Sequence, residues 1–252
     1  MLRLILAGCN GHMGRAVTEM IANSGDPSLT IAAGVDINKS IAGNYPVYEN
    51  PVDIKEKADV ILDFSIPAAL DGLLKYALLN KMPIVLCATG YSKEQLEEID
   101  KASGEIPVFR SGNMSIGINL LADLIKRACK VLGEDFDIEI VERHHRRKVD
   151  APSGTAVMLA DAAAETLQEK PEYIFERESK RRPRSKNEIG ISAVRGGTIV
   201  GVHDVIFAGQ DEVIELRHTA ASRDVFAAGA IKAVKFIQTV KPGIYNMGDV
   251  LK

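Results

Sequence analysis

Six consecutive basic or imidazole side chains, from Arg143 to Lys148, form the part of this 252-residue sequence that could carry chemistry. The run contains His144, His145 and Lys148, and histidine and lysine often donate protons at neutral pH. Its arginines could balance the charge of bound carboxylates. A solvated basic loop is the alternative interpretation. Because the run joins an expected strand, 137–142, to an expected helix, we predict that the framework holds it in place.

The segment after the basic run could bind an anion. Pro152 breaks the extended chain, Ser153 is a good N-cap, and the alanine-rich residues favour a helix to about Gln168. The first N–H groups of a helix have no intrahelical acceptor, and the helix dipole favours an anion there. We therefore predict that Ser153, Gly154 and Thr155 capture a substrate carboxylate. The alternative is that Ser153 only caps its own helix.

A glycine turn near the N-terminus predicts a nucleotide site. The apolar run 2–7 is typical of a parallel strand buried on both faces, and a helical pattern and a second strand, 29–35, come after it. Between the first strand and the helix stand three glycines at G-x-x-G-x-x-G spacing, namely Gly8, Gly11 and Gly14. In such a βαβ unit the helix N-terminus can hold a pyrophosphate, and Asp36 can accept from ribose hydroxyls. These features together predict dinucleotide binding.

The alternation of strands and helices continues through three more strands, 58–64, 83–88 and 106–109. The turns after two of them should lie at the same carboxyl edge as the glycine turn, where doubly wound sheets bind their cofactor. An ordinary strand–helix loop is the alternative for each turn taken singly. The residues of the two turns are Cys87, Ala88 and Thr89, and Ser111, Gly112, Asn113 and Met114.

In the second half of the chain the regular alternation of strands and helices ends. A long amphipathic helix with apolar residues from Leu121 to Leu132 precedes the basic run, and Arg177 to Asn187 is basic and aperiodic, typical of a mobile surface loop. Strands at 189–194, 198–202, 205–207 and 213–218, a helix at 225–240 and a tail at 243–252 complete the chain.

We therefore predict an α/β fold, in which a Rossmann-like doubly wound parallel sheet is joined to a second α+β domain with a mixed or antiparallel sheet. Residues 1–115 form the dinucleotide-binding domain, to which 225–252 return. Residues 116–224 form the second domain.

Composition excludes several classes of protein. The formal net charge is −3, and nothing global points to nucleic acid or to a membrane surface. No apolar run approaches the roughly 18 residues of a membrane span. The three cysteines stand in no metal or redox spacing, as expected of a reduced cytosolic protein. A zinc site at His144 and His145 is disfavoured, because neighbours on a strand point to opposite faces; we expect no metal.

A dinucleotide site beside a cationic, imidazole-rich segment suggests hydride transfer to an anionic substrate, with His144 or Lys148 supplying the proton. The run from Glu142 to Ala156 also resembles the signature of the 4-hydroxy-tetrahydrodipicolinate reductase (dihydrodipicolinate reductase) family. The likeness extends over the chain through Gly8-x-x-Gly11-x-Met13-Gly14, Ser111-Gly112-Asn113-Met114-Ser115, Arg195-x-Gly197 with Gly201-x-His203, and Gly243-Ile244-Tyr245-x-Met247. The resemblance implies NAD(P)H-dependent reduction of a small dicarboxylate in the diaminopimelate and lysine pathway, by a cytoplasmic homotetramer built through the second-domain sheets.

The resemblance also implies roles for individual residues. His144 would be the catalytic acid/base and Lys148 the proton donor, while His145, Ser153, Gly154 and Thr155 would contact substrate. The cofactor, NADH or NADPH, would be held by Gly8, Cys9, Asn10, Gly11, His12, Met13, Asp36, Cys87, Ala88, Thr89, Ser111, Gly112, Asn113 and Met114. The chain departs from the family pattern at Ile37, where members that use NADPH well often have arginine, and at Cys87-Ala88-Thr89, where Gly-Thr-Thr is frequent.

Two other classes of protein remain open at this stage. An NAD(H)-sensing regulator could use the same nucleotide domain and place Arg177 to Lys186 on DNA without turnover. A semialdehyde dehydrogenase would need a nucleophilic cysteine in the second domain, where Cys129 is the one cysteine present.

Overall fold

The computed structural model describes residues 1–39 and 43–252. The strands within them are β1 (Leu2–Ala7), β2 (Leu29–Val35), β3 (Val47–Tyr48), β4 (Val60–Asp63), β5 (Ile84–Leu86), β6 (Pro107–Arg110), β7 (Asp137–His144), β8 (Glu172–Ile174), β9 (Glu188–Arg195), β10 (Gly201–Ala208), β11 (Val213–Ala220) and β12 (Gly243–Tyr245). The helices are α1 (His12–Asn23), α2 (Leu70–Leu79), α3 (Lys93–Ser103), α4 (Ile116–Leu132), α5 (Gly154–Ala164), α6 (Asp224–Ile237) and α7 (Met247–Val250). The chain divides into two compact units, Met1–Ile116 with Arg223–Lys252, and Gly117–Ser222.

The first unit is built on a parallel sheet. Seven of the described strands lie in the order β12-β6-β5-β4-β1-β2-β3, and every pairing is parallel. Successive side chains of β1 enter two different apolar cores, Leu4 and Leu6 in one and Ile5 and Ala7 in the other. A strand buried on both faces needs this continuous apolar run. The predicted Rossmann-like doubly wound sheet is therefore confirmed.

The C-terminal residues also belong to this sheet. Residues 243–252 were expected to form a tail, but β12 pairs with β6 as an edge strand, with Ile244 beside Val108. Met247 is fully buried in the core that α6 helps to form. The expectation of a tail is wrong, because a three-residue strand is too short to show a periodic pattern.

The second unit contains a mixed sheet in the order β11-β10-β7-β9-β8. The central strand β7 pairs in parallel with β9 and antiparallel with β10. Apolar residues of α4 and α5 join those of β7, β9 and β10 in one core. The burial of β7 alternates strictly, and it runs two residues beyond the predicted strand, which places His144 on the framework.

The predicted strands 198–202 and 205–207 are parts of one strand, β10, which begins only at Gly201. The break was predicted because His203 and Asp204 interrupt the apolar pattern. Both side chains are in fact buried, at 4% and 2% exposure, and Asp204 forms ion pairs with Arg143 and Arg217 on the two neighbouring strands. Because partners on β7 and β11 satisfy the charge, the polar residues do not interrupt the strand.

The basic segment 177–187 is irregular, as predicted, but it is not a free loop. Arg184 is 17% exposed and donates to Asp137 at 2.7 Å and to Glu139 at 3.0 Å. Arg177 donates to Glu139 at 2.6 Å and to Glu188 at 2.8 Å. The acidic residues of β7 and β9 thus neutralise these two arginines. Among the residues that the structure describes, no helix combines the length and apolar character that a membrane span requires.

Candidate functional site

The glycine turn after β1 brings the backbone of α1 unusually close to the end of the strand. A side chain at Gly14 would lie 2.2 Å from the Gly8 carbonyl oxygen, and one at Gly8, whose φ is +72°, would lie 2.6 Å from the Phe64 carbonyl oxygen. Helix α1 begins after Gly11 with no side-chain cap. No side chain caps its first N–H groups, and a pyrophosphate at the carboxyl edge of the sheet could accept from them.

The remaining predicted residues of this turn surround Asp36, which follows β2. Its carboxylate accepts from the Asn10 N–H at 2.9 Å and from the Asn38 N–H at 2.9 Å. Cys9 is fully buried beneath the turn, and His12 begins α1 at the surface. The acidic side chain is therefore tied to the glycine turn itself, as an acceptor for ribose hydroxyls should be.

The turn 111–114 lies across a cavity from the glycine turn. The cavity has a volume of about 260 Å³ and is lined by Met13, Phe64, Cys87, Ser111, Gly112, Asn113, Met114 and Phe226. Ala88 and Thr89 line a neighbouring cavity that shares Ser111 and Gly112. Three of the predicted cofactor segments thus meet at one edge of the sheet. Their roles stay predictions, and their arrangement fits a dinucleotide.

The last helix of this unit fixes the turn 111–114. A side chain at Gly229 of α6 would lie 1.7 Å from the Met114 carbonyl oxygen, so helix and turn are in direct backbone contact. Asn113 accepts from the Ser115 N–H at 2.8 Å and is 9% exposed. Ser111 donates to the Asn113 carbonyl oxygen at 2.9 Å. These contacts fix the conformation of the turn.

None of the three cysteines is a nucleophile in this environment. Burial raises the pKa of the Cys9 thiol to about 11 and that of the Cys87 thiol well above its ordinary value. Burial likewise raises the pKa of Cys129, which is 4% exposed in α4. Cysteine catalysis needs a thiolate, so the semialdehyde dehydrogenase alternative loses its nucleophile.

In the second unit, His144 is the last residue of β7 and is 8% exposed. Its Nδ1 atom lies 2.6 Å from an oxygen of Glu142, whose side chain is fully buried on the same face of the strand. An ionised carboxylate can only accept, so Nδ1 carries the hydrogen and Nε2 is left to exchange a proton with a substrate.

Glu142 also binds a guanidinium. Arg195, at the end of β9, donates from Nη1 and Nη2 to the two carboxylate oxygens at 2.7 Å each, and the Ser153 N–H donates at 3.0 Å. Burial alone would raise the pKa of Glu142, but the hydrogen bonds from Arg195, His144 and Ser153 outweigh it and lower that pKa. The carboxylate is therefore ionised in the folded protein.

A second buried histidine stands beside the first. The ring of His203 on β10 lies 5.2 Å from that of His144 in an edge-to-face arrangement, and its Nε2 lies 3.2 Å from the Ser153 hydroxyl. Burial, together with the nearby His144, lowers the pKa of His203 to about 4. His203 is therefore neutral near pH 7.

Lys148 lies in the loop between β7 and α5. Its ammonium is 2.9 Å from the Asp150 carboxylate, and its side chain is 22% exposed. The pKa of Asp150 is lowered mainly by its hydrogen bond from Lys148, and the backbone N–H of Gly154 at the start of α5 lowers it further. The predicted proton donor is thus paired with an anion near the helix N-terminus.

The other predicted substrate residues differ in their surroundings. Ser153 is 2% exposed, and its hydroxyl accepts from the Ala156 N–H, so it caps α5. Gly154 is exposed, while Thr155 and His145 are half-buried. Gly154 and Thr155 are therefore better placed for a ligand than Ser153, whose contribution is to hold the start of the helix.

Glu142, Arg195 and His203 were not predicted to act in the site, although each stands in a motif that carries the family resemblance. A buried carboxylate two residues before a histidine on one strand face is a usable signal, since side chains at i and i+2 share a face. The contact of Arg195 with Glu142 joins two strands distant in sequence, and no local pattern predicts it.

Comparison with known proteins decides the family. Residues 2–114 match the family model for the N-terminus of dihydrodipicolinate reductase, and residues 117–251 match the model for its C-terminus. The chain belongs to the dihydrodipicolinate reductase family.

Relatives within the family are similar over their whole length. The 4-hydroxy-tetrahydrodipicolinate reductase of Caldanaerobacter subterraneus subsp. tengcongensis is 53% identical over 252 residues, covering 100% of this chain and 99% of that protein. The enzyme of the same name from Clostridium tetani is 51% identical over 251 residues, covering 100% and 97%. The chain is therefore an oxidoreductase of this family, and its relatives do not favour the regulator alternative.

A solved structure is similar as well. The dipicolinate-bound dihydrodipicolinate reductase from Paenisporosarcina sp. TG-14 superimposes with a TM-score of 0.80 at 26% identity, covering 99% of both chains. The diaminopimelate dehydrogenase of C. glutamicum, at 13% identity and a TM-score of 0.58, shares the fold alone.

Proposed function

We propose that this member of the dihydrodipicolinate reductase family reduces the cyclic imine formed from 4-hydroxy-tetrahydrodipicolinate to tetrahydrodipicolinate, with NADH or NADPH, in diaminopimelate and lysine biosynthesis. The observation that carries the proposal is the pairing of His144 with a buried carboxylate, one loop away from Lys148 and the start of α5. The names of the relatives support the substrate.

The chain's own side chains would handle the proton. A bound reduced nicotinamide would supply the hydride. His144 exchanges a proton at Nε2 because Glu142 occupies Nδ1. Lys148, as an ammonium, donates the proton that reduction of the imine requires, and its pairing with Asp150 keeps the ammonium oriented.

The start of α5 would bind a substrate carboxylate. The Gly154 N–H lies near enough to the Asp150 carboxylate to lower its pKa, and a substrate anion would bind at this N–H with the hydroxyl of Thr155 beside it. His145, the residue after β7, would complete the contact. The dipicolinate bound to the Paenisporosarcina enzyme is a planar dicarboxylate, which supports a site of this charge.

The cofactor would be held by the first unit, and NADH would be used at least as well as NADPH. Asp36 can accept from ribose hydroxyls but repels a 2′-phosphate. Ile37 follows it and is 87% exposed, and Lys39 is paired with Glu49 at 3.1 Å. A kcat/KM for NADPH more than about tenfold above that for NADH, about 1.4 kcal/mol, would contradict this preference.

The enzyme would be a cytoplasmic homotetramer built through the sheet of the second unit. Strand β11 lies at an edge of that sheet, and Val213 on it is 60% exposed. An uncovered strand edge with apolar side chains favours pairing with another chain. All three cysteines are free thiols, as in a reducing compartment. Sedimentation equilibrium would give the mass of the assembly, and a monomer would contradict the tetramer.

Turnover with freshly synthesised 4-hydroxy-tetrahydrodipicolinate, followed by NADH oxidation, tests the function. His144→Gln and Lys148→Met should each lower kcat by roughly 10²- to 10⁴-fold, the range for general acid catalysis. Lys126→Met is the matched control and should leave kcat unchanged, because Lys126 lies on α4 and its cation is paired with Glu165, the residue that follows α5. Absence of turnover by the unaltered protein would refute the function, and unaltered kcat in either variant would refute that residue's role.

A further inference from the structure

The Glu142 carboxylate has its hydrogen-bonding capacity filled. Its Oε1 accepts from Arg195 at 2.7 Å and from the Ser153 N–H at 3.0 Å, and its Oε2 accepts from Arg195 at 2.7 Å and from His144 at 2.6 Å. Two oxygens with two lone pairs each accept four hydrogen bonds. The carboxylate is fully buried and cannot rotate without losing one of these four hydrogen bonds. It therefore holds the imidazole of His144 in one orientation.

Arg195 connects this carboxylate to the loop that carries Lys148. The same Nη2 atom that binds Glu142 donates to the Asp150 carbonyl oxygen at 2.7 Å, and Nη1 donates to the Val194 carbonyl oxygen at 2.8 Å. The Asp150 side chain in turn holds the Lys148 ammonium. One guanidinium therefore fixes the surroundings of both proton-carrying side chains.

The turn after β9 strengthens the connection through the backbone. The Gly196 N–H donates to the His144 carbonyl oxygen at 2.9 Å, and the Arg146 N–H donates to the Gly197 carbonyl oxygen at 3.3 Å. Gly197 has a φ of +50°, which favours glycine. The end of β9 thus holds the start of the basic run by both side chain and main chain.

We propose that Glu142 and Arg195 are positioning residues for the reaction: Glu142 fixes the tautomer of His144, and Arg195 fixes both Glu142 and the Asp150 segment that orients Lys148. The inference rests on the proposed function, because it assigns the geometry of that site's proton carriers. An ion pair with a purely structural role would stabilise the sheet but would not affect the tautomer of His144. The two roles therefore predict different results.

Glu142→Gln is the first test. The amide has one oxygen in place of two, and its NH₂ group cannot accept from Nδ1, so His144 should shift to the tautomer with hydrogen on Nε2. We expect kcat to fall by roughly 10²- to 10⁴-fold, as when an amide replaces the carboxylate of a catalytic histidine, with little change in KM. Glu188→Gln is the matched control, because Glu188 begins the same strand that Arg195 ends, is 3% exposed and pairs with two arginines.

A spectroscopic measurement separates this inference from the proposed function. Two-bond ¹H–¹⁵N spectra of histidine-labelled protein report the tautomer without turnover, and His144→Gln assigns the signal among the five histidines. Nδ1–H in the unaltered protein and Nε2–H in Glu142→Gln are expected. If the unaltered protein has no reductase activity, the proposed function fails while the tautomer remains measurable. An unchanged tautomer in Glu142→Gln, or equal losses of kcat in Glu142→Gln and Glu188→Gln, would overturn the role of Glu142.

Arg195 is tested by rescue. Lysine cannot form the paired hydrogen bonds to Glu142 and reach the Asp150 carbonyl oxygen as well, so Arg195→Lys should keep the fold and lose kcat. Arg195→Ala should regain kcat when guanidinium chloride, but not potassium chloride, is added. Full activity in Arg195→Lys, or equal activity of Arg195→Ala in both salts, would overturn the positioning role.

Discussion

Acidification should destabilise the protein through the buried imidazole of His203. Its pKa is about 4 in the folded chain, against an ordinary value of 6.5, because burial and the neighbouring His144 disfavour the charged ring. Between these two values the unfolded chain takes up a proton that the folded chain cannot. The free energy of unfolding is therefore unaffected above pH 6.5 and falls as the pH drops from 6.5 towards 4.

The loss in free energy of unfolding depends on how far the pH lies below the pKa of His203 in the unfolded chain. Each pH unit contributes about 1.4 kcal/mol, so at pH 5.0, about 1.5 units below the unfolded pKa, the loss is about 2 kcal/mol. The carboxylates of Glu142 and Asp204 have lowered pKa values, and since their ordinary values are already below 5 they contribute little to the loss in this range. His218, which lies opposite His203 on β11, also has a lowered pKa from burial and adds to the loss.

The part of this loss that is due to His203 can be measured by comparing the unaltered protein with His203→Gln. Both are unfolded in urea at pH 7.5 and at pH 5.0, and unfolding is followed by circular dichroism. Glutamine keeps a polar group near the Ser153 hydroxyl but does not titrate. The unaltered protein should lose about 2 kcal/mol more than the variant between the two pH values. His12→Gln, at an exposed position, should behave like the unaltered protein. Equal losses in the unaltered protein and in His203→Gln would refute the reasoning.

Three further results are expected. Gly14→Ala places a methyl group 2.2 Å from a backbone oxygen of the glycine turn, so it should lower stability by roughly 1–3 kcal/mol. It should also weaken the binding of NADH, measured by fluorescence titration. Gly72→Ala on α2, where the added methyl group meets no neighbouring atom, should have neither effect. Thr155→Val should weaken competitive inhibition by pyridine-2,6-dicarboxylate by roughly 1–3 kcal/mol, and Thr166→Val, just beyond the far end of α5, should leave the inhibition constant unchanged. Arg184→Met should lower the urea-derived free energy of unfolding by roughly 1 kcal/mol, because Asp137 loses its arginine while Glu139 keeps Arg177. A loss under about 0.5 kcal/mol would mean that the basic segment is held by other contacts.

The parallel sheet could be predicted because its strands are buried on both faces. The predicted strands 2–7 and 29–35, most of whose residues are apolar, became β1 and β2 with the predicted ends. The Ser92-x-x-Gln95 spacing is typical of a capping box, and the structure has that box at the start of α3. These features depend on neighbours in sequence, and local pattern is therefore sufficient to predict them.

The features that escaped prediction depend on partners distant in sequence. In the sequence Asp204 interrupts an apolar pattern, but in the structure Arg143 and Arg217 pair with it and the strand continues. His144 and Lys148 could be singled out by residue type, whereas Glu142 became meaningful only when β9 brought Arg195 beside it. Charge satisfaction across a sheet is a property of the folded chain, and no window of sequence contains it.

The pairing of β12 with β6 has a consequence for the order in which the chain folds during synthesis. Strand β6 can pair with β12 only after more than a hundred further residues have been synthesised. The core of the same unit likewise remains incomplete until the α6 residues Ala227, Ala230 and Val234 have been made. At roughly 5–20 residues per second the ribosome needs roughly 6–25 s to cover that distance. The second unit, continuous in sequence, is by then fully made. The nucleotide-binding unit is begun first and completed last, and its open strand edge is exposed to chaperones and to other nascent chains throughout that interval.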